Sequence, residues 1–341
     1  MRWLPLLERL SKASGPPGFE DEVRDLIRGE LRGSVDELHE DNFGNLYAIK
    51  GRGGRRVMLA AHMDEVAMMV RYVEPNGFLR FAPLGGLSPS QLIAQRVVVH
   101  GSVRLRGVIG STPAHMGGEE RIPKVEEMYV DVGAASREEV GKLGVRPGTP
   151  ITFDAPFTYQ PETGVVMGKA LDDRLGCLVL AEAIADAEPK DRVFAVFTCE
   201  EERGLRGAQV AASRVRPELA FVIEGTIASD VPGVPEHSHI TQLGKGPAIR
   251  VMDRSVIVRR WLLDSIVSRA EELGIPYQLQ LSPISSTDAG PISVSNEGVP
   301  VGVISVPARY IHSPQALAKV RDVENTMKLV KSLLEDPPTR T

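Results

Sequence analysis

The sequence feature that most restricts the possible folds is a series of histidine and carboxylate residues placed directly after apolar, strand-like runs. His62 follows the run at 56–61, Glu224 follows the run at 219–223, and three consecutive glutamates occupy 200–202 between them. In α/β sheets the carboxyl ends of the strands meet at one edge, where ligands bind. The series therefore predicts an α/β fold with a polar site at that edge.

Two later positions extend the series. Asp172 and Asp173 precede a predicted helix at 174–187, and His312 follows a predicted strand at 301–307. Either aspartate could simply cap the helix, whereas the other could bridge two cations. Spacing alone leaves open which aspartate, and which of the three glutamates, belongs to the site.

A short motif around His62 predicts a partner for its imidazole. In an extended backbone, residues two apart face the same way, so Asp64 should lie beside His62. A carboxylate in this position can fix the ring tautomer and turn the other nitrogen toward a metal. The remaining histidines lack this setting, and we interpret most of them as surface residues: His39, His100, His115, His237 and His239. The pair at 237 and 239 could bind a metal, but it lies in a predicted loop.

Charge and cysteine content narrow the class of protein. With 40 basic and 45 acidic residues the net charge is −5, which argues against a nucleic-acid partner. No apolar run approaches the roughly 18 residues of a membrane span, and charges appear early in the chain, so we expect a cytoplasmic protein without a membrane partner. Only Cys177 and Cys199 occur, so any metal must be held by histidine and carboxylate, as in hydrolytic zinc sites.

The order of predicted elements indicates one α/β domain that contains an insertion. A length of 341 residues favours two domains. Short alternating strands separated by Gly and Pro turns dominate 69–154, which predicts a small β-domain, and α/β alternation resumes after 161. Before the insertion the pattern predicts two helices and a hairpin-like pair of strands, at 3–12, 20–32, 45–50 and 56–61.

Seven motifs resemble those of a known family, the tetrahedral (TET) aminopeptidases, which include glutamyl aminopeptidases and proteins labelled endoglucanases. The resemblance covers the full length of the chain. The motifs are SGPPGFE (14–20), AHMDEV (61–66), GKALDDR (168–174), EERGLRGA (201–208), LGKGPAI (243–249), TDAG (287–290) and RYIHSP (309–314).

The resemblance implies a role for each candidate residue. It makes Asp172 the bridging ligand and selects Glu201 and Glu202 as the glutamate pair. One metal would take His62, Asp172 and Glu224, and the other Asp172, Glu202 and His312. Glu201 would be the general base, with Asp64 as a second catalytic residue, and the peptide bond between Asp172 and Asp173 is expected to be cis.

The resemblance also implies a fold, an activity and an assembly. The expected fold is a mixed-sheet zinc-peptidase (phosphorylase/hydrolase-like) domain at 1–67 and 159–341, with an inserted PDZ-like β-barrel at 68–158 for dimerisation. The expected enzyme is an aminopeptidase with two divalent metal ions per subunit, zinc first and cobalt or manganese as alternatives. A hydroxide bridging the metals would attack peptide substrates, and dimers would build a homododecamer.

Other functions remain as alternatives at this point. An N-acyl amino-acid deacylase or a carboxypeptidase of the same clan would share the metal ligands, and a non-catalytic scaffold would be expected to lack one of them. An endoglucanase is disfavoured because metals would neutralise the carboxylates that a glycosidase needs. Residue specificity is not predicted, and Asp288 in the TDAG motif could border the substrate pocket, contact the substrate amine or cap a loop.

Overall fold

The computed structural model describes residues 1–112 and 121–340. The helices are α1 Leu4–Lys12, α2 Asp21–Leu31, α3 Arg137–Lys142, α4 Leu171–Asp186, α5 Arg206–Val215, α6 Arg260–Glu272, α7 Ala289–Ser293 and α8 Val320–Glu335. The first nine strands are β1 Glu37–Glu40, β2 Leu46–Lys50, β3 Arg56–His62, β4 Ala67–Val73, β5 Leu79–Leu84, β6 Arg96–His100, β7 Arg104–Gly110, β8 Tyr129–Asp131 and β9 Pro150–Phe153. The remaining strands are β10 Thr158–Gln160, β11 Val165–Gly168, β12 Arg192–Thr198, β13 Leu219–Ile227, β14 Ala248–Asp253, β15 Gln278–Ser282, β16 Val301–Arg309 and β17 Ala316–Lys319.

Two separate β-structures divide these strands. Eleven form a mixed sheet in the order β1-β2-β12-β3-β13-β16-β17-β11-β10, with β14 joining at β16 and β15 joining at β14. Strands β4 to β9, which come between β3 and β10 in the chain, close into a six-stranded barrel in the order β4-β5-β8-β7-β6-β9. The predicted fold class, an α/β mixed sheet with an inserted β-barrel, is confirmed.

The predicted hairpin between the strands at 45–50 and 56–61 is wrong. Strand β12 lies between β2 and β3, antiparallel to the first and parallel to the second. Every residue of β3 after Arg56 is buried. Strands buried on both faces occur in the interior of sheets. Accordingly, β3 lies between β12 and β13 and does not pair with β2.

Helix α4 is the centre of the larger core. Nearly all of its side chains are buried, and it packs against β3, β13 and α8. Asp172 and Asp173 have non-helical φ and ψ angles, so the regular helix begins at Arg174, and the burial of the residues that follow anchors this start. Asp172 and Asp173 are thereby held against the sheet. The barrel has its own core, formed mainly by valine, leucine and isoleucine.

Both cysteines are free and buried, as the sequence predicts. Within the described parts of the chain, no helix has the length and apolar character needed to cross a membrane.

Candidate metal centre

The site lies at the carboxyl ends of four neighbouring parallel strands, β12, β3, β13 and β16. Strand β3 ends at His62, and β12 ends before the glutamate pair. Glu224 lies inside β13 rather than after it, because Gly225 and Thr226 continue to pair with β16. The structure therefore brings together every predicted ligand.

Asp172 faces both histidines through different oxygens. Its Oδ1 lies 3.5 Å from Nε2 of His62, and Glu224 Oε2 lies 3.7 Å from the same nitrogen. Its Oδ2 lies 3.3 Å from Nε2 of His312, which is also 3.2 Å from Glu202 Oε1. In each of these two triads the three donor atoms lie within 4.8 Å of one another. We call them the His62 position and the His312 position.

The neighbouring Asp173 has a structural environment of its own. Its Oδ2 accepts a hydrogen bond from the His62 backbone N–H at 3.2 Å, and its Oδ1 accepts one from Gly176 N–H at 2.9 Å. The peptide bond between Asp172 and Asp173 is cis, as predicted. Asp173 thus fixes the start of α4, and Asp172 faces the histidines. Spacing alone had left this assignment open.

Asp64 contacts both halves of the site. Its Oδ1 is 3.4 Å from His62 Nδ1, which also lies 3.1 Å from the Asp64 carbonyl oxygen. The backbone N–H groups of Glu201 and Glu202 donate to Asp64 Oδ1 and Oδ2, both at 3.0 Å. Sequence reasoning predicted the first contact and missed the second, which joins residues far apart in the chain.

The backbone leaves the strand geometry just before the glutamate pair. Strand β12 ends at Thr198, and Glu200 has a left-handed φ of 54°. Adjacent residues on a regular strand point to opposite faces, so this departure is what lets Glu201 and Glu202 face one site. The donor atoms of His62, Glu201 and Glu202 form a third group within 4.8 Å.

Burial makes the negative charge of the cluster costly. It raises the pKa of Glu201 and of Glu224 well above the ordinary value, and it raises the pKa of Glu202 to about 7 although the charge of His312 lowers it. Burial lowers the pKa of His312, yet the hydrogen bond to Asp172 and nearby carboxylates raise it to about 9. A site of this kind is stabilised by cations.

Two buried oxygens support the same conclusion. Asp172 Oδ1 and Glu224 Oε1 have no hydrogen-bond partner among the described residues. Buried polar atoms are normally paired, and Asp172 Oδ1 lies 3.5 Å from His62 Nε2, so a cation between these atoms would satisfy the unpaired oxygen. The donors are imidazole nitrogens and carboxylate oxygens without a thiolate, a set that suits zinc, cobalt or manganese.

Two further carboxylates near the ligands are buried, those of Glu20 and Asp288. Glu20 accepts hydrogen bonds from the N–H groups of Gly18, at 2.7 Å, and Glu200, at 3.2 Å. Burial, together with the charge of Asp64, raises the pKa of Glu20 to about 7. The SGPPGFE motif was a sequence signal for this residue, but no role was predicted for it.

Asp288 is buried, and Thr198 Oγ1 donates to its Oδ2 at 2.6 Å. It makes no side-chain hydrogen bond that caps α7. The preceding Thr287 lines the cleft beside the ligands, whereas Asp288 is only 1% exposed. Of the possibilities for the TDAG motif, this places Thr287 at the pocket and Asp288 behind it, against β12.

A cleft of about 390 Å³ opens over the ligands. Its walls combine apolar side chains from Leu205, Ile227 and Ile311 with polar groups, among them Arg254 and Thr287. Clefts of this size hold small ligands or one end of a longer chain. The ligand atoms are therefore reachable from solvent.

The predicted surface histidines stay outside the site. His237 is exposed, and His239 is half-buried with its Nε2 3.1 Å from the Val234 carbonyl oxygen. Neither belongs to a possible metal-binding group in the described parts of the chain. His115 lies outside the described residues.

The chain is similar to known aminopeptidases over most of its length. The family model of M42 glutamyl aminopeptidases matches residues 44–329. A lysyl aminopeptidase from Pyrococcus furiosus is 35% identical over 339 residues, which are 97% of this chain and 96% of the relative.

Solved structures are similar over nearly the whole chain. A TET aminopeptidase from the marine sediment archaeon Thaumarchaeota archaeon SCGC AB-539-E09 is 38% identical with a TM-score of 0.96, covering 98% of this chain and 96% of that one. The structure of PhTET1-12s, a dodecamer, is 32% identical with a TM-score of 0.88, covering 97% of this chain and 98% of that one.

Proposed function

Because the chain belongs to the M42 glutamyl aminopeptidase family and is an aminopeptidase, we propose that it removes N-terminal residues from peptides with two divalent metal ions per subunit. Zinc is the proposed metal, with cobalt or manganese as alternatives. The observation that carries the proposal is the pair of triads that share Asp172, each oxygen of which faces a different histidine. Asp172 is the proposed bridge between the two positions.

Each ligand has a defined place in this proposal. His62, Asp172 and Glu224 would hold one ion, and Asp172, Glu202 and His312 the other. When bound, two divalent ions would acidify a water molecule and polarise the scissile carbonyl group.

Glu201 is the proposed general base. It lies beside the triads, and its side chain is partly buried and close to His62. Burial raises its pKa well above the ordinary carboxyl value, which makes it a stronger base than an exposed glutamate. Glu201 would take a proton from the attacking water and deliver it to the leaving amine.

Asp64 is the proposed positioning partner of this proton carrier. Its two oxygens hold the backbone N–H groups of Glu201 and Glu202, and its Oδ1 lies beside His62 Nδ1. By fixing these three groups, Asp64 would keep Glu201 directed at the reacting atoms.

Hydrolysis of aminoacyl-p-nitroanilides tests the activity and the metal requirement together. Protein stripped with EDTA should lose activity, and readdition of single metals should restore it, with zinc, cobalt and manganese compared in turn. Free α-amino substrates should be cleaved and their N-acetylated counterparts left intact. Activity that survives complete metal removal, or a preference for N-acyl substrates, would contradict the proposal in favour of a metal-independent enzyme or a deacylase.

We also propose that dimers built through residues 68–158 form a homododecamer. The barrel formed by β4 to β9 runs from Ala67 to Phe153 and so occupies most of this segment, and the similar PhTET1-12s structure is a dodecamer. Light scattering of the metal-loaded protein should give a mass of twelve chains, and a mass of one or two chains would argue against it.

We propose a cytoplasmic location, because free buried thiols are typical of reducing compartments. Cell fractionation tests this.

A further inference from the structure

The inserted barrel reaches the metal centre through two glycines. Strand β5 ends at Leu84, and Gly85 and Gly86 follow it. The Gly86 carbonyl oxygen lies 3.0 Å from Nδ1 of His312, a residue 226 positions later in the chain. A backbone group between β5 and β6 of the barrel is thus a direct partner of a candidate metal ligand.

The space around these glycines is filled by ligands of the same triad. A Cβ on Gly85 would lie 2.8 Å from Glu202 Oε2, and one on Gly86 would lie 3.2 Å from His312 Nδ1. Gly85 also has a left-handed φ of 84°, which side chains rarely adopt. A side chain on Gly85 would therefore collide with Glu202, and one on Gly86 would fit only if the His312 imidazole moved.

The His62 position is supported differently. The Nδ1 of His62 faces the carbonyl oxygen and the carboxylate of Asp64, which follows β3 by two residues. This partner comes from the edge of the main sheet itself. The two histidines thus have equivalent backbone carbonyl partners, one from the main sheet and one from the barrel segment.

We propose that the Gly85–Gly86 segment is a positioning element for the His312 position alone. The Gly86 carbonyl holds the proton of His312 on Nδ1, which leaves Nε2 free to face Asp172 and Glu202. The affinity of this position for its metal then depends on the contact with the barrel, while the affinity of the His62 position does not. The inference rests on the proposed two-metal function.

The His312 side chain needs this support more than the His62 side chain does. It is 34% exposed, whereas that of His62 is 2% exposed. A ligand with fewer packing contacts has more freedom to rotate away, and losing the partner of a ligating histidine typically weakens metal affinity by about 10–100-fold.

The Gly86→Ala variant tests the proposal through metal affinity rather than activity. Gly86 lacks a left-handed φ, so alanine suits the backbone, but its Cβ presses on the imidazole. Zinc or cobalt binding to the metal-stripped protein, measured in competition with a chelator, should show one of two sites weakened by about 10–100-fold. The cobalt absorption spectrum should change at that site only.

The matched control is Gly141→Ala in α3, where an added Cβ meets nothing within 4 Å. It should bind both metals as the wild-type protein does. An amide-to-ester replacement between Gly86 and Leu87 serves as a second variant, because it weakens the carbonyl acceptor without adding volume. It should weaken the same site, and it remains decisive if the alanine variant fails to fold.

The possible outcomes separate the inference from the function on which it rests. Two sites with unchanged affinities in both Gly86 variants, or two sites weakened equally, would overturn the inference and leave the two-metal function intact. A wild-type protein that binds a single ion would instead overturn the two-metal function. One weakened site beside one unchanged site supports both.

Discussion

The two histidines that face Asp172 differ in how the fold holds them. His62 ends a central strand, is almost completely buried and takes its imidazole partner from Asp64, two residues away. His312 lies three residues after β16, an interior strand of the same sheet, in a left-handed conformation with φ of 59°. Its side chain is one-third exposed and takes its partner from Gly86 in the barrel segment. The two triads therefore have similar ligands, but their histidines differ in burial and in the part of the fold that holds the imidazole.

Two metal positions with the same types of ligand can therefore differ in how stably the fold holds them. His62 and Glu224 of the His62 position are buried and belong to β3 and β13 themselves, so this position should persist as long as the sheet does. The His312 position requires two distant parts of the chain to remain in contact. Regions with fewer buried contacts open at lower free energy than a central core, so the His312 position should open first.

The largest expected effect is a loss of kcat in Glu201→Gln, which should leave the difference between the two metal positions unchanged. Glu201→Gln removes the proposed proton carrier but retains the size and burial of the side chain. We expect kcat to fall by about 10²–10⁴-fold, while both metals bind with wild-type affinity. Steady-state kinetics and metal titration on the same sample measure the two quantities.

The neighbouring Glu200→Gln is the matched control for that variant. Glu200 pairs with Arg206 and lies outside the three ligand groups. It should keep a kcat near that of the wild type. A Glu201→Gln enzyme with nearly full kcat would exclude Glu201 as the general base, and loss of either metal would make it a ligand instead.

A smaller effect is expected from Asp64→Asn, which addresses the comparison directly. Asp64 accepts from the N–H groups of Glu201 and Glu202 through different oxygens. In asparagine one of these oxygens is replaced by an NH2 group, which donates and cannot accept. Because Asp64 also contacts His62, we expect both metal affinities and kcat to fall by about 10–100-fold. Gly86→Ala, in contrast, should affect one affinity alone.

A buried aspartate elsewhere in the fold provides the control. Asp322 accepts hydrogen bonds from the N–H groups of Gly244 and Gly246, which is the same chemistry away from the metal centre. Asp322→Asn should lower thermal stability without changing either metal affinity. If Asp64→Asn weakened only one position, or neither, Asp64 would not be a support common to both.

The positions of the site residues could be predicted from the sequence because they depend on local patterns. Apolar runs followed by His62 or by the glutamates mark strand ends, and strand ends of an α/β sheet converge. The same reasoning was wrong for the strands at 45–50 and 56–61. A short connection predicts a hairpin, but it carries no information that β12, more than 130 residues later, pairs with both strands.

The supports of the ligands could not be predicted for the same physical reason. Asp64 meets the backbone of Glu201, 137 residues away, and Gly86 meets His312, 226 residues away. Every residue has a backbone carbonyl group and every residue except proline has an N–H group, so the sequence does not distinguish the ones that will become partners. Glu20 was likewise invisible as a neighbour of Asp64.

The kinds of metal ligand in this protein follow from the sequence alone, since residue types decide which donor atoms are available. Histidines and carboxylates at strand ends, with both cysteines excluded, predicted a hydrolytic metal centre. Only the tertiary structure decided that Asp172 faces both histidines, that Asp173 holds the helix start, and that Gly86 faces His312. Those relations are distances between remote parts of the chain, and such distances exist only after the sheet and barrel have packed.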